Sequence, residues 1–285
     1  MTSGRAGPII AAIGALGLAA VIAGAAAAQP PTLRPGDDLS RFSDDQLRAA
    51  LDALRRTPAP PRRVGIFGIG SGFGLDRGVG IISAAATDRR DRRRLGDWDG
   101  SVAAGFGIGR LHGIGATALV TITSVTPRKF GSSGTVGLAF DRRFALGGGS
   151  GQASVALTLG NLARWGDSAG LEPTASLAGS VVLPATIGGR PVAVMATAGW
   201  GTGVADLGRA PGAFGGIGIG IAPRLAASVA WSGDEGIAGL TAWLGRDGTM
   251  QVSVGVGDVT NARNGRRLLF SAAWRFDMLR AASGG

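Results

Sequence analysis

The chain has 285 residues, and its 52 glycines sit among 45% hydrophobic and only 17% charged residues. A Gly-rich disordered chain would be polar and strongly charged, and no Gly-X-Y period runs through the sequence, so disorder and collagen are both excluded. With 29 Lys+Arg against 19 Asp+Glu, no cysteine and one histidine, the chain is basic and lacks disulfides, thiolate chemistry and any multi-histidine metal site; no cofactor is expected.

Residues 1–28 read as a secretory signal peptide. Arg5 marks the n-region, an apolar run extends from Pro8 to about Ala28, and Ala26-Ala27-Ala28 supplies a small-residue cleavage site before Gln29. A run of about 20 apolar residues would also span a bilayer. Its alanine and glycine content makes it only weakly hydrophobic, which favours cleavage. Residues 29–62 form a Pro-rich segment with one amphipathic helix. Ser43-Asp44-Asp45-Gln46 is a capping box, Leu47, Leu51 and Leu54 form one apolar stripe, and Pro58, Pro60 and Pro61 forbid continuation.

From about Arg77 to Phe276 the period becomes 2. Val102, Ala104, Phe106 and Ile108 oppose Ser101, Ala103, Gly105, Gly107 and Gly109; Ile217, Ile219 and Ile221 oppose Gly216, Gly218 and Gly220. Met250, Val252, Val254 and Val256 likewise oppose Gln251, Ser253, Gly255 and Gly257. Such alternation of bulky apolar with tiny side chains is a strand signal. It predicts about twelve strands, at 77–88, 100–109, 113–125, 133–146, 151–162, 172–184, 190–201, 212–222, 224–231, 235–245, 249–258 and 266–276. Ten residues tilted near 45° cover roughly 24 Å, the height of a transmembrane barrel's apolar band. Odd-numbered connections are mostly long and even-numbered ones short, with the ninth an exception. That sorting puts all long loops at one end of an antiparallel up-and-down transmembrane β-barrel over residues 63–276, followed by a tail at 277–285. Trp165, Trp200, Trp231, Trp243 and Trp274 fall at or near strand ends, where an indole is expected at the membrane interface.

Few residues suggest chemistry. In the first long loop Arg89, Arg90, Arg92, Arg93 and Arg94 could meet lipopolysaccharide phosphates through their guanidinium forks, or simply be solvated and offset by Asp88, Asp91, Asp97 and Asp99. Nucleic acid is not an expected partner. Gly68-Ile69-Gly70-Ser71-Gly72-Phe73-Gly74 superficially matches a dinucleotide loop, but a strand rather than a helix follows it. It is expected to enter the barrel as an irregular or short strand. His112 falls in a short turn, a strand's length from Asp99 and Ser101, so a Ser-His-Asp site is not expected and the chain reads as a non-enzyme. With bulky residues facing lipid, the lumen is lined by Gly, Ala, Ser and Thr, with Asp141, Arg143, Asn161 and Arg275 as its candidate polar groups.

Together these features resemble the bacterial outer-membrane β-barrel proteins. The resemblance implies residence in the outer membrane, contact with its lipids, and handling by the barrel-assembly machinery. It implies an assembly signal in Phe270, Trp274 and Phe276 of the final strand, although Asp277 to Gly285 extend past the usual end. A looser similarity is to the autotransporter translocator, whose helix threads the pore. The expected function is a passive small-solute pore or an envelope structural protein. The alternatives are a soluble periplasmic or surface β-protein that binds a partner, and a helix-plugged, translocator-like barrel.

Overall fold

A computed structural model describes residues 63–88, 98–146, 151–245, 247–261 and 265–278. The expected signal peptide, the helix at 44–56 and the arginines of the first long loop lie outside the described residues.

Twelve strands make the wall: β1 (Val79–Asp88), β2 (Trp98–Leu111), β3 (Ile114–Ile122), β4 (Gly134–Leu146), β5 (Gly151–Trp165), β6 (Thr174–Ile187), β7 (Arg190–Ala205), β8 (Ala210–Ala222), β9 (Leu225–Trp231), β10 (Gly236–Leu244), β11 (Met250–Gly257) and β12 (Arg267–Asp277). Each pairs antiparallel with its neighbours in sequence, and β1 closes onto β12. The closing register runs from Val79 opposite Asp277 to Thr87 opposite Leu269, and Met278 N–H donates to Gly78 O at 2.9 Å beyond it. Closure leaves no exposed sheet edge.

The pleat sorts side chains as the alternation requires. Phe106, Phe140, Leu157, Leu177, Leu240 and Val254, from six different strands, are all exposed on the outer surface. Thr117, Ser154, Ser180, Ser228, Thr241 and Ser253 are buried inside. Arg142 follows the outer face, with its guanidinium 5.7 Å from the centre of the Phe144 ring.

Turns 112–113, 188–189 and 223–224 join strands at one end. His112 and Gly113 have φ of 50° and 83°, the positive pair that lets a two-residue turn follow strand twist. The opposite end carries 123–133, 166–173, 206–209 and 232–235. The seventh connection, expected to be long, is a short turn: β7 and β8 extend into it, with a register shift between Gly201 and Ala205. The first strand begins at Val79, so the Gly68–Gly74 run is no part of the wall.

Candidate functional site

Residues 63–78, immediately before β1, run through the lumen. The run starts at the short-turn end, where Arg63 N–H reaches Pro223 O at 3.5 Å. The Arg63 guanidinium donates to Gly248 O at 2.6 Å and also to Asp247 O. It ends at the same side of the barrel, where Gly78 N–H donates to Gly107 O at 2.9 Å and β1 begins. In between, the segment arches from the β8–β11 side to the β2–β5 side.

Its backbone is held by hydroxyls from inward-facing positions. Phe67 N–H donates to Ser228 Oγ on β9 at 3.1 Å, Gly72 N–H to Ser180 Oγ on β6 at 2.8 Å, and Leu75 N–H to Thr117 Oγ1 on β3 at 3.1 Å. Ser154 Oγ on β5 donates to Gly72 O at 2.5 Å, and Ser180 Oγ is itself 2.7 Å from Thr197 Oγ1 on β7. Backbone groups buried in this way need hydrogen-bond partners. Ser and Thr supply them from side chains short enough to leave room for a second chain.

The glycines explain the remaining space. A Cβ at Gly107 would run into the Asp76 carbonyl, and one at Gly218 into the Gly65 carbonyl. At Gly239 and Gly255 a Cβ would come within 2.7 Å of the Phe67 ring. The tiny face of the sheet is therefore the mould of the lumen segment.

Charge fastens the segment's C-terminal end. Asp141 on β4 is buried (1% exposed) and takes Arg110 Nη2 at 2.6 Å and Arg143 Nε at 3.2 Å. Arg143 Nη1 reaches Asp76 of the lumen segment at 2.9 Å, and its Nη2 donates to Gly74 O at 2.5 Å. Arg110 and Arg275 each stand 3.9 Å from Asp76. Asp141 Oδ1 accepts no hydrogen bond and fits between Gly74 and Gly115, where no side chain could stand. A guanidinium that bridges two carboxylates and a carbonyl is better suited to this than an ammonium, because its donors are fixed in a fork.

Of the polar lumen candidates, Asp141, Arg143 and Arg275 come together in this network. Asn161 does not: it lies toward the long-loop end, at φ 55°, donating to Glu172 O at 3.0 Å. Sequence reasoning missed Asp76, Arg110 and the hydroxyls that hold the segment. The available signal was Ser or Thr recurring at inward positions of several strands, beside a Gly-rich run just ahead of the first strand.

Among the aromatics, Trp200 and Trp274 are exposed on the outer face. Trp165 and Trp231 occupy long-loop strand ends, and Trp165 Nε1 donates to Gly131 O at 2.9 Å. Trp243 corrects the expected interface set. It shares the inward parity of Thr241, is buried, and borders the space over Gly65. The sixth tryptophan, Trp98, is exposed with its ring 5.6 Å from that of Phe270. On β12 Phe270, Trp274 and Phe276 share the outer face, with the Trp274 and Phe276 rings 5.5 Å apart. His112 is exposed in its turn, at the opposite end of β2 from Asp99 and Ser101.

A cavity of about 770 Å³ lies beside the lumen segment, toward the short-turn end. Ile66, Ile69 and Phe73 of the segment bound one side; Gln152, Val182, Met195, Gln251 and Arg275 of the wall bound the other.

No protein-family model matches the chain, and no curated protein matches it. Solved structures similar to it include a porin and outer-membrane proteins. The KdgM porin, determined in complex with disordered oligogalacturonate, is 10% identical, with 69% of this chain and 99% of that one covered at a TM-score of 0.41. An outer-membrane channel from Pseudomonas putida F1 is 12% identical, covering 71% and 97% at 0.41. The outer membrane protein Omp33 of Acinetobacter baumannii is 9% identical, covering 72% and 100% at 0.38.

Proposed function

We propose that this protein is exported to the outer membrane of a Gram-negative-type cell, and that it serves there as a self-plugged barrel: an envelope component of low conductance, not an open diffusion pore. The observation that carries the plug is the hydrogen bonding of residues 67–75 to Ser228, Ser180, Ser154 and Thr117, on four different strands of the wall. The membrane assignment is supported by the outer surface, where large apolar side chains from strand after strand stand exposed. A water-soluble barrel would leave that band as one continuous apolar patch, an aggregation liability.

The expected helix is not needed as the plug, because residues 63–77 already occupy the lumen. Phe270, Trp274 and Phe276 form the face of β12 that the assembly machinery would read. The reading is non-enzymatic, since among the described residues no acid and no hydroxyl are hydrogen-bonded to His112 for nucleophilic chemistry.

Cell fractionation followed by electrophoresis of unheated and boiled samples tests the location. A heat-dependent mobility shift in the outer-membrane fraction is expected; a soluble periplasmic band without a shift contradicts it. Planar-bilayer recording tests the plug. The full chain is expected to conduct weakly, and Gly107→Val, which drives a side chain into Asp76, is expected to raise conductance while keeping the heat shift. Equal, high conductance from both proteins would overturn the plug.

A further inference from the structure

The arch of the lumen segment leaves the cavity of about 770 Å³ beneath it, within the usual size range of small-molecule sites. Its lining is divided. Ile69, Phe73, Val182 and Met195 provide apolar surface, whereas Gln251 and Arg275 provide hydrogen-bond donors. Apolar walls can hold a ligand's body while the polar groups fix its orientation.

Within the ion-pair network beside it, among the described residues, the charges do not balance. Two carboxylates, Asp76 and Asp141, face three guanidiniums, those of Arg110, Arg143 and Arg275. Arg110 and Arg143 both reach Asp141 Oδ2, at 2.6 and 3.2 Å, and Arg143 also takes Asp76 at 2.9 Å. Arg275 is the least engaged of the three, with one contact at 3.9 Å and a side chain 59% exposed, and it is the one that lines the cavity. A guanidinium so placed recognises a carboxylate or a phosphate bidentately.

From this we infer that the cavity is a binding site for a small organic anion with an apolar body, its acid group on Arg275 and its body against Ile69, Phe73, Val182 and Met195. The inference rests on the reading that residues 63–77 stay in the lumen, because they supply half of the site. It extends that reading by giving the plugged barrel a ligand class. A cation is repelled by the excess guanidinium, and a neutral analogue forgoes the charged contact.

The test is calorimetric titration of the refolded full-length protein in detergent, with micelle-only blanks, using 4-phenylbutyrate and its neutral counterpart 4-phenylbutanol. The acid is expected to bind saturably and at least tenfold more tightly than the alcohol. Arg275→Gln is expected to remove that preference, and Met195→Trp, which fills the cavity without altering charge, to weaken the acid at least tenfold. If Met195→Trp does not fold, Arg275→Gln decides alone. Equal binding of acid and alcohol, unchanged acid binding in Arg275→Gln, or no saturable binding by the wild type overturns the site. These outcomes are separable from failure of the plug, because a heat-modifiable barrel of low conductance that binds no acid contradicts the anion site only.

Discussion

Individual side chains in the lumen act on a backbone, not on each other's apolar surface, and this sets the size of their effects. Ser180→Ala removes the acceptor of Gly72 N–H, and Ser154→Ala removes the donor to Gly72 O; both bonds are buried. Each substitution is expected to cost about 1–3 kcal/mol, the cost of leaving one such group unsatisfied. Arg143→Ala is expected to cost more, about 3 kcal/mol or above, because it strips one of two partners from a buried Asp141 and the closest partner from Asp76. Arg143→Lys should rescue only partly, since one ammonium cannot reproduce the fork to Asp141, Asp76 and Gly74. Urea titration of the heat-modifiable band measures all of these, and equal stability of Arg143→Ala and wild type would contradict the network.

At the level of strands, period-2 alternation decides which face meets which medium. Val254 and Gln251 lie on the same strand, β11, with Val254 exposed on the outer face and Gln251 on the cavity. Val254→Arg is expected to destabilise folding into lipid vesicles by about 2–4 kcal/mol, as a cation near the bilayer midplane does. Gln251→Arg should change stability little. Site-directed labelling of Val102, Phe106, Ile219 and Val254 with a lipid-phase probe is expected to succeed at all four, and protection of these positions would place the bulky face inside. The strands were legible because alternation repeats in each of them. The departures have local causes: Trp243 falls near a strand end, but its parity with Thr241 turns it inward, and Gly201–Gly212 reads as loop although glycine occurs inside many of the strands.

Across the whole molecule, the barrel wall could be read from pattern, whereas its filling could not. The Gly68–Gly74 run alternates glycine with Ile69, Ser71 and Phe73 as the strands do, yet it belongs to no regular element, so periodicity points it into the wall and not the lumen. What places residues 63–78 in the lumen is complementarity with glycines and hydroxyls more than 30 residues away: Gly239 against Phe67, Ser180 against Gly72 and Gly107 against Asp76. Only pairing of distant segments carries that information. The Asp141–Arg143 part of the network was visible because charge is rare on an inward face. Asp76 and Arg110 were hidden in a turn-like stretch and at a strand end.

The lumenal position of residues 63–77 underlies everything proposed for this protein, and a cysteine cross-link tests it without background, since the chain has no cysteine. A Cβ at Gly239 would lie 3.2 Å from Phe67 Cβ, close to disulfide separation. Oxidation of the folded Phe67→Cys/Gly239→Cys barrel is expected to join the two positions, read as a reducible cross-linked peptide by mass spectrometry. Phe67→Cys/Leu240→Cys, one residue along β10 but on the outer face, is expected to stay open. An uncrosslinked 67–239 pair in a heat-modifiable barrel, or equal cross-linking of both pairs, would contradict the account.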